Sequence, residues 1–368
     1  MDRPRTLDEA KAFLIERIET RRNPFEFTEQ QAAREAVASL DGLDGARWAA
    51  AWATPADLFE AAADEAERRG DRAAAFTNRF QAYAFNFVGR YPSPNHPDKQ
   101  CRYERAIANM LKLAPLFDPP VEVVGVPFED GKQVICYVRR PKDVERPPVA
   151  MVWGGIDSWK EEALAQSEHF LRAGLAFVTT DMPGAGQSPV LGSEPAAERQ
   201  YTPVFEWLRT RDDLDGQRLV IVGRSFGGYW TAKLAHTHRH YLRGAVSWGG
   251  GAHYMYQRDW AEKSRYADSY LMELPETRGR MLGATTFEEY VAAFSRLSLL
   301  DQGILEQPCA PMLLLNGKED TQCPIADLYM LLEHGQPKMA RVFPGGHMGM
   351  TPQTWPTVIG WVKDQLSG

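Results

Sequence analysis

Apolar side chains follow two different patterns along the chain, and the change falls near Pro119-Pro120. Before that point they recur at helical spacing, which predicts a series of amphipathic helices. One helix is expected to begin at Thr54-Pro55, a capping residue followed by proline, and to end at Gly70. The other helices of this part are predicted around 7–20, 28–40, 72–88 and 100–116. Its many aromatic side chains are interpreted as packing surface.

After residue 119 short apolar runs alternate with helical stretches. A strand is predicted over Val121 to Val126, followed by a turn at 129–132 and a return strand at 134–138. Continuous apolar runs are typical of strands that are buried on both faces of a parallel sheet. Such runs occur at 149–153, 176–178, 219–222, 245–246 and 312–315. The alternation of strands and helices predicts an α/β fold with a mostly parallel sheet flanked by helices.

The segment between the last two of these strands is too long for an ordinary connection and is rich in aromatic residues. We interpret it as a helical cap over the carboxyl ends of the strands, where open α/β sheets place their sites. The predicted division of the chain is therefore a helical N-terminal region at 1–118, an α/β core at 119–248 and 310–368, and a helical cap insertion at 249–309.

The segment Gly223-Arg224-Ser225-Phe226-Gly227-Gly228 carries the clearest chemical signal. It follows an apolar strand directly and precedes a predicted helix, which is the setting of a nucleophile elbow. The glycines allow neighbouring backbones to approach the sharp turn closely. Ser225 is therefore predicted to be a nucleophile, and a serine hydroxyl needs a base and an acid to activate it.

The acid and the base are predicted from their order after the serine, because this type of site runs Ser, then Asp or Glu, then His. Asp320 lies in the loop after the strand at 312–315, and Glu319 beside it is the alternative acid. His347 lies in a glycine-rich loop after the last predicted strand, at 341–343, and is the predicted base. These three residues form the predicted catalytic set.

Two backbone amides are needed to stabilise the oxyanion of an acyl-transfer intermediate. One is predicted to be that of Phe226, directly after the nucleophile. The other is assigned to Ile156, in the loop after the first core strand, with Gly155 as the alternative. The side chains predicted to line the substrate pocket are His253, Tyr254, Tyr229 and Asp157.

Composition narrows the partners of the protein. The 368 residues are 44% hydrophobic and 25% charged, and the formal charge of -7 does not indicate a basic surface for binding nucleic acid. The four cysteines form no metal-binding pattern, and no apolar run reaches membrane-spanning length. We therefore expect a cytoplasmic protein that acts on a small molecule, with no metal, cofactor, nucleic acid or membrane as partner. The loop at 181–188 lacks the lysine and the glycine spacing of a nucleotide site.

Four segments together resemble the bacterial 2,6-dihydroxypseudooxynicotine hydrolase group and the related fungal hydrolases that shorten polyketides. They are 154–162, 181–188, 223–228 and 345–347. The resemblance covers nearly the whole chain. It implies an α/β-hydrolase fold with a helical N-terminal part and a cap, the roles given above for Ser225, Asp320 and His347, and an often dimeric assembly, so a homodimer is one expectation.

The resemblance also implies hydrolysis of an ester or of a carbon–carbon bond next to a ketone. Carbon–carbon cleaving members of the group need an extra acidic residue near the cap, whereas the matching stretch 250–256 has no carboxylate before Asp259. We therefore predict a serine hydrolase that acts on an ester of a small, largely apolar or aromatic carbonyl compound. The alternatives are carbon–carbon hydrolysis with the same residues and a non-catalytic binding or scaffold protein.

Overall fold

The computed structural model describes residues 3–367, which form two compact units. One unit runs to Glu122 and also includes Leu271–Glu273. The other contains Val123–Tyr270 and the chain from Leu274 onward. The three-part division of the chain given above stays a prediction.

The first unit is helical. Its helices are α1 (Leu7–Glu19), α2 (Gln30–Ser39), α3 (Gly45–Arg68), α4 (Arg72–Arg90) and α5 (Pro97–Leu113). Aromatic side chains form much of its core, as the stacking of Trp52 on Phe85 at 6.5 Å between ring centroids illustrates.

The predicted start of the third helix is wrong. Helix α3 begins at Gly45, where the Asp44 side chain accepts a hydrogen bond from the backbone N–H of Arg47, and it continues through Pro55. Proline inside a helix removes one backbone hydrogen bond. Burial of Trp48 and Trp52, which precede the proline on the same helix, outweighs that loss. The helix ends near Gly70, as expected, and this glycine has a φ of 72°.

The second unit contains the sheet. Its strands are β1 (Glu122–Pro127), β2 (Gln133–Arg139), β3 (Pro148–Trp153), β4 (Ala176–Thr180), β5 (Asp215–Arg224), β6 (Gly244–Trp248), β7 (Met312–Gly317) and β8 (Lys338–Phe343). Their order in the sheet is β1-β2-β4-β3-β5-β6-β7-β8. Strand β2 is antiparallel to β4, and the pairs from β4 through β8 are parallel.

Helices lie between the parallel strands, and one more follows the last strand. They are α6 (Lys160–Ala165), α7 (Glu168–Leu171), α8 (Tyr201–Thr210), α9 (Phe226–Thr237), α10 (Arg258–Lys263), α11 (Leu274–Met281), α12 (Phe287–Ser295), α13 (Ile325–Glu333) and α14 (Thr354–Leu366). Helices α10 to α12 lie between β6 and β7, in the segment predicted as a cap. The predicted α/β fold is confirmed.

The register of the sheet aligns the carboxyl ends of its central strands. Trp153 at the end of β3 pairs with Gly223 in β5, and Arg224 pairs with Trp248 at the end of β6. In the last strand pair of the sheet, Gly317 at the end of β7 pairs with Phe343 at the end of β8. The loops that follow these strands therefore leave the sheet at one common edge, which is where parallel sheets place ligand sites.

A buried ionic cluster packs beside this edge. The Lys160 ammonium lies 2.8 Å from Asp181 Oδ2 and 2.6 Å from Glu161 Oε1, and Tyr137 donates a hydrogen bond to Glu161. Asp181 also accepts backbone N–H groups from Lys160 and Gln187, which ties the loop after β4 to the start of α6. Burial lowers the pKa of Lys160, but the two carboxylates outweigh it and the net shift is upward. The cluster is charged and internally paired.

Replacing Lys160 by methionine should lower the free energy of unfolding by about 3–5 kcal/mol, because it leaves two buried carboxylates without their cation. The measurement is urea denaturation at neutral pH. Lys363→Met, at an exposed position in α14, should change the same quantity by less than about 0.5 kcal/mol. If Lys160→Met loses no more free energy of unfolding than Lys363→Met, the pairing of Lys160 with the two carboxylates is contradicted.

Candidate active site

Ser225 lies on a strained turn between β5 and α9. Its backbone has φ 53° and ψ -127°, in a region that side chains other than glycine rarely adopt, and its N–H donates to Trp248 O at 2.7 Å. A Cβ on Gly223 would clash with the backbone oxygen of Gly227, and one on Gly227 would clash with that of Gly154. The glycines of the motif are therefore required by the close approach of backbones around the serine.

The structure brings three of the predicted residues into a continuous hydrogen-bonded chain. His347 Nε2 lies 2.7 Å from Ser225 Oγ, and His347 Nδ1 lies 2.7 Å from Asp320 Oδ2. With the proton on Nδ1 donated to the carboxylate, Nε2 is free to accept the serine hydroxyl proton. The three side chains come from the loops after β5, β7 and β8, at the common edge of the sheet.

Asp320 is held in its ionised form. Burial raises the pKa of this carboxyl, but the charge and hydrogen bond of His347 outweigh burial, and the net shift is downward. Its Oδ1 also accepts the backbone N–H groups of Gln322 at 2.7 Å and Cys323 at 3.1 Å. Glu319, the alternative acid, is exposed and lies 3.7 Å from the Lys318 ammonium. The structure therefore brings Asp320, and not Glu319, to the imidazole.

Two buried side chains that the sequence did not single out hold the base loop, and one of them, Asn316, joins it to the acid loop. Asn316 Oδ1 accepts the N–H of Met348 at 3.1 Å, while its Nδ2 donates to Cys323 O at 3.3 Å. Trp248 Nε1 donates to Met348 O at 2.6 Å from the other side. These bonds fix the backbone on both sides of the Asp320–His347 contact, which limits rotation of the imidazole. An asparagine at the end of a buried strand was the only signal of this role.

The loop after β3 passes directly over the serine. A Cβ built on Gly155 would lie 2.9 Å from Ser225 Cβ and 3.1 Å from Ser225 Oγ. Ile156 follows in the same loop and is buried, and its carbonyl accepts the indole N–H of Trp159. Phe226 is the first residue of α9, so its amide lies at the positive end of that helix. Gly155 and Phe226 thus lie next to the nucleophile, and the oxyanion role of these amides stays a prediction.

The four predicted pocket residues lie in different places. Tyr229 is buried, with its ring 5.6 Å from that of Phe226. Asp157 is partly exposed, and its Oδ1 lies 3.8 Å from the position that a Cβ on Gly155 would occupy. His253 Nδ1 instead lies 2.7 Å from Ser298 Oγ, and Tyr254 is 44% exposed. Asp157 is therefore placed close to the serine and Tyr229 beside the residue that follows it, and a pocket role for all four residues stays a prediction.

An aromatic layer lies beside the serine. The sequence showed that this segment is rich in aromatic residues but not which way their side chains point. The ring of Phe294, from α12, stacks on Phe226 at 6.2 Å and contacts Tyr256 at 4.8 Å. Buried Asp327 fixes the approach to this layer, because its carboxylate accepts the backbone N–H groups of 253–255. The layer is itself buried and packs around the residue that follows the nucleophile.

The only group of potential metal ligands recorded within residues 3–367 overlaps this site. Ligand atoms of Asp320, Cys323 and His347 lie within 4.8 Å of one another. Burial raises the pKa of the Cys323 thiol well above its usual value, so it is a protonated thiol and a poor ligand. The arrangement fits a proton-transfer pair better than a metal centre. Within the same residues, no helix is both long and apolar enough to span a bilayer.

The fold and this site define a protein of the α/β-hydrolase class. The crystal structure of 2,6-dihydroxy-pseudo-oxynicotine hydrolase superposes with a TM-score of 0.78 at 22% identity, covering 97% of this chain and 95% of that chain. A second solved structure, that of AbyA5, gives a TM-score of 0.72 at 20% identity over 99% of both chains. These likenesses confirm the predicted fold.

The chain belongs to the FrsA-like esterase family, whose model matches residues 20–366. Among curated relatives, hydrolase ORFZ of Pyricularia oryzae is 31% identical over 55% of this chain and 52% of that protein. Esterase FrsA of Photobacterium profundum is 22% identical over 92% of this chain and 81% of that protein. The 2,6-dihydropseudooxynicotine hydrolase of Paenarthrobacter nicotinovorans is 26% identical over 62% of this chain and 59% of that protein. The chain thus spans about half the length of ORFZ, and the predicted resemblance is confirmed.

Proposed function

We propose that the protein is a serine hydrolase in which Ser225 attacks a carbonyl carbon while His347 takes the hydroxyl proton. The observation that carries the proposal is the hydrogen-bonded chain from Ser225 through His347 to Asp320. The amides of Phe226 and Ile156 would stabilise the oxyanion, with that of Gly155 beside them. The imidazolium then protonates the leaving alcohol, and water attacks the acyl-enzyme to release the acid and regenerate the serine.

Ester hydrolysis is the reaction that we favour. Membership of an esterase family supports it. The stretch 250–256, next to the aromatic layer, contains no carboxylate, and Asp259 beyond it is exposed. Asp327, buried beneath this stretch, is engaged by three backbone amides, so it is poorly placed to exchange protons with a substrate.

The aromatic layer of Phe226, Tyr256 and Phe294 supports a substrate with an apolar or aromatic body. All steps can be carried out by side chains and backbone amides, so the proposal includes no cofactor. A cytoplasmic location and a homodimer remain part of the proposal. The four cysteines are all unpaired, which fits a reducing compartment.

The test combines covalent labelling with a substrate comparison. A fluorophosphonate should modify the purified protein at Ser225, as located by mass spectrometry of the digested adduct, and the heat-unfolded protein should not react. A short p-nitrophenyl ester should be hydrolysed faster than a β-diketone of similar size. Faster cleavage of the diketone would instead favour carbon–carbon hydrolysis. Absence of both labelling and turnover would favour a non-catalytic binding protein.

A further inference from the structure

A buried guanidinium lies in the segment between β6 and β7. Arg278, in α11, is 2% exposed, and within residues 3–367 no carboxylate forms an ion pair with it. Its hydrogen bonds run to neutral acceptors and are long: 3.3 Å to Ser264 Oγ, 3.4 Å to Tyr290 OH and 3.3 Å to Gln322 O. Buried charges in proteins are normally paired, because an unpaired charge in a low-dielectric interior is costly. This one has no counter-charge from the described chain.

A second polar group near Arg278 is also unsatisfied. Arg278 Nε and the Tyr256 hydroxyl are both buried without a hydrogen-bond partner among residues 3–367. Both groups border the same ring, since Phe294 lies 5.2 Å from Arg278 Cζ and 4.8 Å from the ring of Tyr256. Burial holds the pKa of Tyr256 well above its usual value, so its hydroxyl is a neutral donor. Unsatisfied buried donors call for a specific explanation.

The same ring connects these donors to the nucleophile. Phe294 stacks on Phe226, the residue directly after Ser225. An apolar chain that packs among these rings would run from the reacting carbonyl towards Arg278. The guanidinium also reaches the Asp320 loop, because Arg278 Nη2 donates to Gln322 O. A nucleophile, buried aromatic rings and a cation with an unsatisfied donor are thus linked through neighbouring side chains.

We propose that Arg278 and Tyr256 bind a carboxylate at the far end of the acyl part of the substrate. This inference rests on the proposed function and narrows it to esters of acids that carry a second carboxylate. The planar guanidinium matches a carboxylate through paired N–H···O bonds, and the hydroxyl adds a third donor. The carboxylate supplies the counter-charge that residues 3–367 do not provide there, and Phe226 and Phe294 contact the apolar chain between the two ends.

The test compares two esters that differ only in this charge: the p-nitrophenyl half ester of glutaric acid and its methyl-capped form. The wild-type protein should show a kcat/KM at least about tenfold higher for the free acid, mainly through a lower KM. Arg278→Met should bring this ratio to about one while changing hydrolysis of the methyl-capped ester by less than about threefold. Tyr256→Phe, which removes only the hydroxyl, should reduce the ratio by about threefold.

Two outcomes overturn the inference. One is equal hydrolysis of the two esters by the wild-type protein. The other is an equal loss on both esters in Arg278→Met, which would show that Arg278 only supports the Asp320 loop. If Arg278→Met does not fold, as judged by thermal melting, the wild-type ratio and Tyr256→Phe decide. Labelling of Ser225 by a fluorophosphonate separates the two proposals. If Ser225 is labelled but the two esters have equal kcat/KM, only this inference fails. If Ser225 is not labelled, the proposed function fails.

Discussion

Replacing Ser225 by alanine should lower kcat for a short p-nitrophenyl ester by about 10⁶-fold. The change removes the only hydroxyl that lies within hydrogen-bond distance of His347 Nε2 among the contacts of residues 3–367. Without the nucleophile no acyl-enzyme forms, and any remaining rate comes from the oxyanion donors acting on water. The measurement is steady-state hydrolysis together with fluorophosphonate labelling, which the variant should not show.

The fold should survive this substitution, so the loss can be assigned to chemistry. Alanine experiences the same unfavourable φ as serine at this turn, and the N–H to Trp248 O bond is retained. The melting temperature should therefore stay close to that of the wild-type protein. Ser367→Ala, at an exposed position near the end of α14, is the matched control and should keep full activity. Activity in Ser225→Ala above about a hundredth of the wild-type value would identify a different nucleophile.

The sequence predicted the sheet well because the signals for its strands are local. Apolar runs such as 219–222 and 312–315 are buried on both faces, and no other element gives runs of that kind bounded by polar turns. The start of α3 was predicted wrongly because it does not depend on local signals. Thr54-Pro55 is a strong local signal for a helix start, but the helix is decided by packing of Trp48 and Trp52 against residues far along the chain.

The same distinction explains which parts of the site could be predicted. Ser225, Asp320 and His347 lie in short loops after strands, so chain order and glycine content were enough to select them. The role of Asn316 depends on which carbonyl and amide its side chain meets across two loops. The role proposed for Arg278 depends on the absence of an ion pair to it among residues 3–367. Neither can be deduced from spacing, because both are properties of contacts between distant segments.

Replacing Asp320 by asparagine should lower kcat by about 10⁴-fold with little change in KM. In the wild-type protein Oδ1 accepts two backbone N–H groups, so it is Oδ2 that faces His347 Nδ1. The asparagine oxygen would keep the backbone bonds, which places its NH₂ group against the imidazole. That group donates to Nδ1 and moves the ring proton to Nε2, where the imidazole can no longer accept the proton of Ser225. The measurement is kcat for a short p-nitrophenyl ester.

Glu319→Gln is the control for this prediction, because Glu319 is adjacent in sequence and exposed. It should keep kcat within about twofold of the wild-type value. A large loss at Glu319 with a small one at Asp320 would reverse the assignment of the acid.

The lowered pKa of Asp320 also adds a test by stability. A carboxyl whose pKa is lower in the folded state contributes stability above its unfolded pKa and loses it as the pH falls through the folded value. The stability difference between the wild-type protein and Asp320→Asn should therefore decrease on acidification.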